Sequence, residues 1–290
     1  MAEPLPLCYL NGEFVPLREA RISPLDRGFL YSDGVYEVMP VYGGRPFRFE
    51  AHAGRLTRSL AAIQMEDPLT RTQWHDLIAT LIARNGGGDQ YVYWQVTRGA
   101  EFGRNHAPLP NIPRTVFAFC APLPVTAAAT LEKGAACVTA EDTRWARCDV
   151  KSVSLLANIL LRQLAVDANA TETILLRQGE LMEASSSAVH IVTGGVIVSP
   201  PHSHKILPGT TRSAMEEVAA RAGIPYRTAA ISEQQLRTAD EVWLSAATRE
   251  VQAVTQLDGK PVGTGQPGPL WRRMYDEWQR YKRELADQPW

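Results

Sequence analysis

Lys151 stands out on chemical grounds. The chain has 30 lysines and arginines, of which five are lysine (Lys133, Lys151, Lys205, Lys260, Lys282), leaving 30 − 5 = 25 arginines. A guanidinium does not deprotonate in proteins, so arginine replaces lysine as a surface cation but not as an amine nucleophile. Lys151 lies in Arg147-Cys-Asp-Val-Lys-Ser-Val-Ser-Leu-Leu-Ala-Asn158, just ahead of an apolar run. Partial desolvation there, together with the positive end of a following helix, lowers an amine's pKa and frees it to form a Schiff base. A lysine that packs its stem on apolar surface and holds its ammonium in water gives the same pattern.

Four further groups have chemical potential. Glu183 precedes Ser185-Ser-Ser187; a carboxylate there suits a protonated ring nitrogen, and a solvated turn reads the same way. Leu207-Pro-Gly-Thr-Thr-Arg212 opens a helix, so Thr210 and Thr211 offer hydroxyls and free backbone N–H groups to a phosphate, a reading compatible with Thr210 as a plain cap. Arg55, in Phe49-Glu-Ala-His-Ala-Gly-Arg-Leu56, lies at the edge of a core-facing helix stripe, where it takes a phosphate or pairs with a carboxylate. Arg104 and His106, two apart in a polar loop, suit a substrate carboxylate or a solvated loop alike.

The elements that must position these groups are legible in outline. Asn11-Gly12 joins strands at 7–10 and 13–17, and Gly43-Gly44 joins 34–42 to 45–49. Apolar spacing predicts helices over 50–63 and 70–84, then strands at 91–97 and 114–120. Pro122-Leu-Pro124 and the alanines after it divide the chain into an N-terminal domain 1–122, a linker 123–130 and a C-terminal domain 131–290. In the latter we expect strands at 135–140, 173–176, 188–192, 196–199, 241–245 and 251–257, and helices at 154–166, 210–222 and 269–285. The first of these helices is almost wholly apolar and is expected to be buried on most sides. Hairpins outnumber strand-helix-strand alternation, so the class is α+β with mainly antiparallel sheets.

Composition removes several alternatives. Against the 30 basic residues stand 31 acidic ones, a formal net charge of −1, so no basic surface suggests nucleic acid. No run is long and apolar enough to span a membrane, and no signal-peptide pattern opens the chain. Cys8, Cys120, Cys137 and Cys148 are scattered, which fits reduced thiols in a cytoplasmic protein rather than disulfides or a metal site. The histidines show no metal-ligand spacing. GxxxxGK[ST] is absent, and no GxGxxG follows a strand.

Taken in order, six motifs resemble those of the fold-type IV pyridoxal-phosphate aminotransferases. They are Asp26-Arg-Gly-Phe-Leu-Tyr-Ser-Asp-Gly-Val-Tyr-Glu37, His52-Ala-Gly-Arg-Leu56, Tyr91-Val-Tyr-Trp-Gln-Val-Thr-Arg-Gly99, Arg144-Trp-Ala-Arg-Cys-Asp-Val-Lys-Ser152, Glu183-Ala-Ser-Ser-Ser187 and Leu207-Pro-Gly-Thr-Thr-Arg212. Within that class the chain looks most like the D-amino-acid aminotransferases. The resemblance implies pyridoxal 5'-phosphate as cofactor, with Lys151 as Schiff-base lysine and proton shuttle. It implies Arg55, Thr210 and Thr211 at the phosphate, Glu183 at the pyridine nitrogen and Leu207 behind the ring. It gives Tyr36, Arg104 and His106 the substrate α-carboxylate; branched-chain L-amino-acid enzymes lack the Arg-x-His. The implied architecture is a small N-terminal α/β domain and a larger barrel-like C-terminal domain, in a homodimer that moves amino groups between amino acids and 2-oxo acids. A branched-chain aminotransferase and a 4-amino-4-deoxychorismate lyase would share the fold. Two departures from the D-enzyme pattern are a loop before Arg104 one residue longer and Ala247 where a phosphate-holding hydroxyl often stands.

Overall fold

The computed structural model describes residues 3–286, the side chain of Ala286 excepted. The chain divides into two compact units, and Val150–Ser154 belongs with the N-terminal residues up to Pro124 rather than with the segments on either side of it. The boundary drawn from sequence puts that segment, and Lys151 with it, in the C-terminal domain. Backbone pairing is the reason for the difference. Tyr36 N donates to Lys151 O (3.0 Å), Val153 N donates to Gly34 O (3.1 Å), and Val35 and Ser152 form a bridge.

In the first unit, β1 (Leu7–Leu10), β2 (Glu13–Pro16), α1 (Arg27–Tyr31), β3 (Gly34–Tyr42), β4 (Arg45–Pro46), α2 (Phe49–Ala62), α3 (Arg71–Arg84), β5 (Gln90–Thr97) and β6 (Thr115–Pro122) follow in order. The strands form one antiparallel sheet, ordered β2-β1-β6-β5-β3-β4. Alternating residues of β3, β5 and β6 bury Val35, Met39, Val92, Trp94, Val96 and Ala118 against Leu56 and Leu60 of α2 and Ile78 and Leu81 of α3. Thr70 and Gln73 form a capping box at the start of α3. α1 is not apparent from periodicity; Asp26 caps it, accepting from Gly28 N at 2.7 Å.

The second unit holds α4 (Ala128–Lys133), β7 (Ala135–Glu141), α5 (Leu156–Asp167), β8 (Glu172–Arg177), β9 (Glu180–Ala184), β10 (Ala188–Thr193), β11 (Val196–Ser199), α6 (Thr210–Arg221), β12 (Tyr226–Thr228), α7 (Glu233–Arg237), β13 (Glu241–Ala246), β14 (Glu250–Leu257), β15 (Lys260–Pro261) and α8 (Pro269–Ala286). Its sheet is mixed, ordered β12-β11-β10-β13-β14-β7-β8-β9, with β15 on β14. β9 ends that order yet runs straight into β10, third from the other end, and Ala184 N donates to Ser187 O (2.7 Å) at the junction. The sheet therefore curls back on itself, as the expected barrel-like architecture requires.

One expectation fails. α5 buries only Leu161 and Ala165, while Leu156, Ile159 and Leu160 are 70%, 62% and 61% exposed. Periodicity places apolar residues on a helix but does not say which of two apolar stripes its own chain covers. The helix also starts at Leu156, five positions past Lys151. The lysine is therefore not at a helix N-terminus, and the dipole argument for its pKa does not apply.

Candidate active site

In the first unit the chemistry gathers at the Gly34 end of β3. Adjacent strand residues face opposite sides of a sheet. Tyr36 lies on the side where its ring stacks on Tyr93 (5.5 Å between centroids), a neighbour on β5, and Lys151 Nζ sits 4.2 Å from the Tyr36 ring centroid. Ser59 of α2 accepts from Lys151 N at 3.2 Å. Among the described residues no carboxylate pairs with Lys151 Nζ, so the residue is held at its backbone by Ser59 while its amine lies over a π-face rather than being spent on an ion pair.

Glu37 points the other way, to α2, and is completely buried. It accepts from Arg55 Nε and Nη2, both at 2.7 Å, and its Oε2 lies 2.9 Å from His52 Nδ1. Burial opposes ionisation of Glu37, but Arg55 and His52 outweigh it and hold the carboxyl at about 2. Burial lowers the His52 pKa against Glu37's pull. Arg55 thus makes the carboxylate pair that is one of its two sequence readings, and Glu37 fixes the direction of its fork.

Glu183 lies on β9 in the second unit and is buried, not in a solvated turn. It accepts from Arg144 Nη1 (2.5 Å) and from Leu207 N (3.1 and 3.2 Å). Arg144 also grips Asp142 through Nε (2.9 Å) and Nη2 (3.0 Å), and Asp142 accepts from Arg177 Nη2 (2.8 Å). Burial raises the Glu183 pKa against Arg144, so the arginine is what favours its ionised form. The three serines do not offer their hydroxyls to a ligand: Ser185, Ser186 (2.7 Å) and Ser187 (3.2 Å) all donate to the buried Glu172. Thr210 and Thr211 open α6 and are buried; the cap is Gly209, not Thr210, and no side chain caps the helix. The first-turn N–H groups of α6 have no intrahelical acceptor, as an anion site requires. Ala247 sits in the turn joining β13 and β14.

Arg104 and His106 are exposed and lie against Tyr31, with Arg104 Cζ 5.0 Å from its ring centroid and the His106 ring at 5.6 Å. Among the described residues no hydrogen bond or ring contact joins either to Tyr36. Sequence reasoning gives no role to Glu37, His52, Arg144 or Glu172. Glu37 carries a signal: an acid inside the apolar strand Gly34-Val-Tyr-Glu-Val-Met39 must be paired if it is buried. Arg144 has none beyond its motif.

The family model for Amino-transferase class IV matches residues 34–257. The chain belongs to that family. A D-alanine aminotransferase of Staphylococcus haemolyticus is 35% identical over 276 residues, 94% of this chain and 96% of its own. One of Listeria monocytogenes serotype 1/2a (strain 10403S) is 37% identical over 268 residues, 92% of each chain. Among solved structures, a T.th. branched-chain amino acid aminotransferase with pyridoxamine 5'-phosphate superposes with TM-score 0.88 at 29% identity, covering 95% of this chain and 93% of that one. The Escherichia coli branched-chain enzyme gives 0.89 at 25% identity, with 94% and 93% covered. This class IV aminotransferase therefore has the fold-type IV architecture that its motif order implies.

Proposed function

We propose that this aminotransferase uses pyridoxal 5'-phosphate, held through Lys151 Nζ, to exchange amino groups between a D-amino acid such as D-alanine and a 2-oxo acid (pyruvate or 2-oxoglutarate). The observation that carries the cofactor reading is Lys151: a rare lysine, pinned at its backbone by Tyr36 and Ser59, with its amine on a tyrosine face and, among the described residues, on no carboxylate. Each unit supplies groups whose chemistry suits the cofactor: an uncapped helix start with buried threonines and a buried carboxylate paired with an arginine in one, a buried arginine aimed by Glu37 in the other. The D-alanine aminotransferases, at 35% and 37% identity, support the substrate. The branched-chain neighbours keep an L-amino acid as the second reading.

When bound, the cofactor supplies an aromatic electron sink for charge developing at the substrate Cα. In our reading Arg55 and the α6 N–H groups at Thr210 and Thr211 would hold its phosphate, and Leu207 would back the ring. Glu183 would hold a proton on the ring nitrogen, with Arg144 favouring its ionised form against burial. Lys151 Nζ takes the proton from Cα and delivers it as general base and then acid. Tyr36, Arg104 and His106 orient the substrate carboxylate.

We further propose a cytoplasmic homodimer. The apolar face of α5, with Leu156, Ile159 and Leu160 exposed, is a surface that a second copy would cover. All four cysteines are buried and unpaired, as a reducing compartment allows, and among the described residues no helix is long and apolar enough to cross a membrane. Borohydride reduction of the cofactor-loaded enzyme followed by peptide mapping tests the assignment of Lys151. The cofactor mass belongs on the peptide containing Lys151; finding it on Lys205 refutes the reading.

A further inference from the structure

Beneath Tyr31 lies a buried arginine that the mechanism leaves unused. Arg27, the first residue of α1, is 4% exposed. Its Nε donates to Asp33 Oδ2 (2.9 Å), Nη1 to Glu101 Oε1 (2.5 Å) and to Asn105 O (2.7 Å), and Nη2 to His106 O (2.9 Å). Glu101 in turn accepts from Leu109 N through Oε2 (2.9 Å), so one carboxylate joins the arginine to the far side of the same loop. Arg27 N donates to Gly99 O (2.8 Å), where a Cβ would meet Pro113 O at 1.9 Å, so only glycine closes the loop's base. The Arg27 guanidinium lies 4.7 Å from the Tyr31 ring centroid, and Arg104 lies 5.0 Å from the same ring. Asp33 is shared with Arg98 Nε (2.8 Å), whose Nη2 reaches Ile63 O (2.8 Å), so the set is anchored to the chain just beyond α2.

We propose that Arg27 is the positioning residue of the substrate-carboxylate pair, fixing the backbone of Arg104 and His106 through Asn105 O, His106 O and Glu101. Two long side chains on an exposed loop select one direction of approach only if the backbone under them is held. Here that hold comes from one planar fork that meets two carboxylates and two carbonyls at once. Lysine brings the same charge but a single nitrogen, which cannot span those four acceptors. The charges balance, with Arg27 and Arg98 against Asp33 and Glu101, so the hub supplies direction rather than net charge. This inference rests on the reading of Arg104 and His106 given above.

The test is a mutant cycle on the cofactor-loaded enzyme, using D-alanine as the variable substrate. Arg27→Lys is expected to raise KM for D-alanine tenfold or more while the cofactor stays bound at full occupancy. Glu101→Gln is expected to act in the same direction by a smaller factor, and it stands in for Arg27→Lys if that variant does not fold. In an Arg104→Ala/His106→Ala background, adding either change should alter KM less than twofold, because the residues it positions are gone. An Arg27→Lys or Glu101→Gln effect that multiplies undiminished in that background overturns the proposal alone. So does a KM within twofold of the parent. If Arg104→Ala/His106→Ala itself leaves KM unchanged, the carboxylate reading fails and this inference fails with it.

Discussion

Replacing Glu37 by glutamine keeps the shape of the side chain and removes its charge. What remains is Arg55, buried, facing an amide where it had a bidentate carboxylate at 2.7 Å on both arms. The magnitude follows in two ways. The Glu37 carboxyl is held at about 2 from an ordinary value of 4.5, and at about 1.4 kcal/mol per pH unit this amounts to roughly 3 kcal/mol of stability at neutral pH. Breaking a buried pair by removing one partner costs about 3–5 kcal/mol in general. At roughly 2–4 °C per kcal/mol for a chain of this size, Tm should fall by about 6–20 °C. The pH dependence has a definite sign. A carboxylate whose pKa is depressed by folding contributes fully above the unfolded value and loses that contribution as the pH falls towards 2. The parent should therefore lose stability between about pH 5 and pH 2 more steeply than Glu37→Gln. Thermal unfolding followed by circular dichroism at pH 7, and urea midpoints across the acid range, read both effects. A Tm within about 2 °C of the parent, with parallel acid limbs, would show that the Glu37–Arg55 pair does not hold the N-terminal unit together.

Other outcomes are specific to single residues. Glu183→Gln should retain cofactor and slow transamination by orders of magnitude, because an amide facing Arg144 cannot stabilise a protonated ring nitrogen; near-normal turnover removes Glu183 from the ring. Arg104→Ala should raise KM for D-alanine by about ten- to a hundredfold, the equivalent of a charge-assisted contact of roughly 1.5–3 kcal/mol, with cofactor content unchanged. His190, buried between Ser199 (2.6 Å) and Ser245 (2.8 Å), is held by burial and then by Arg212 at about 3. The unfolded chain takes up that proton near pH 6.5 and the native state refuses it, so stability should fall as the pH drops below about 6.5. Denaturant midpoints of His190→Asn that change less than the parent's between about pH 5 and 6.5 would confirm it. Leu160→Asp should shift the mass measured by light scattering from two chains to one; an unchanged mass removes α5 from the subunit interface.

Local signals carry most of the elements. The Asn11-Gly12 hairpin, the Thr70 start of α3, the glycines that end it and the Gly223 stop after α6 are turn and cap chemistry, which acts within a few residues. Long-range pairing is not legible. Sequence spacing puts Lys151 with the helix that follows it, but its backbone is claimed by β3, more than a hundred residues away in sequence. Glu172 and the serines near 186, and Glu37 with His52 and Arg55, meet through sheet and helix packing that no local spacing encodes. α5 shows the converse: the sequence makes it apolar, and only the fold reveals that most of that surface stays outside its own chain. Lys151, Glu183 and Arg55 draw attention in the sequence because putting an amine, an acid or a guanidinium beside apolar surface is costly without a purpose.

D-specific amino transfer through Lys151 is tested most directly by a single half-reaction: the cofactor-loaded enzyme mixed with D-alanine, L-alanine or L-leucine in separate shots, with the absorbance of the bound cofactor followed in a stopped-flow instrument. The expected result is rapid loss of the pyridoxal band with D-alanine, pyruvate formed in equal amount, and at least a hundredfold slower change with either L-amino acid, the ratio that about 3 kcal/mol of difference between enantiomeric transition states produces. Faster conversion of L-leucine than of D-alanine would contradict it.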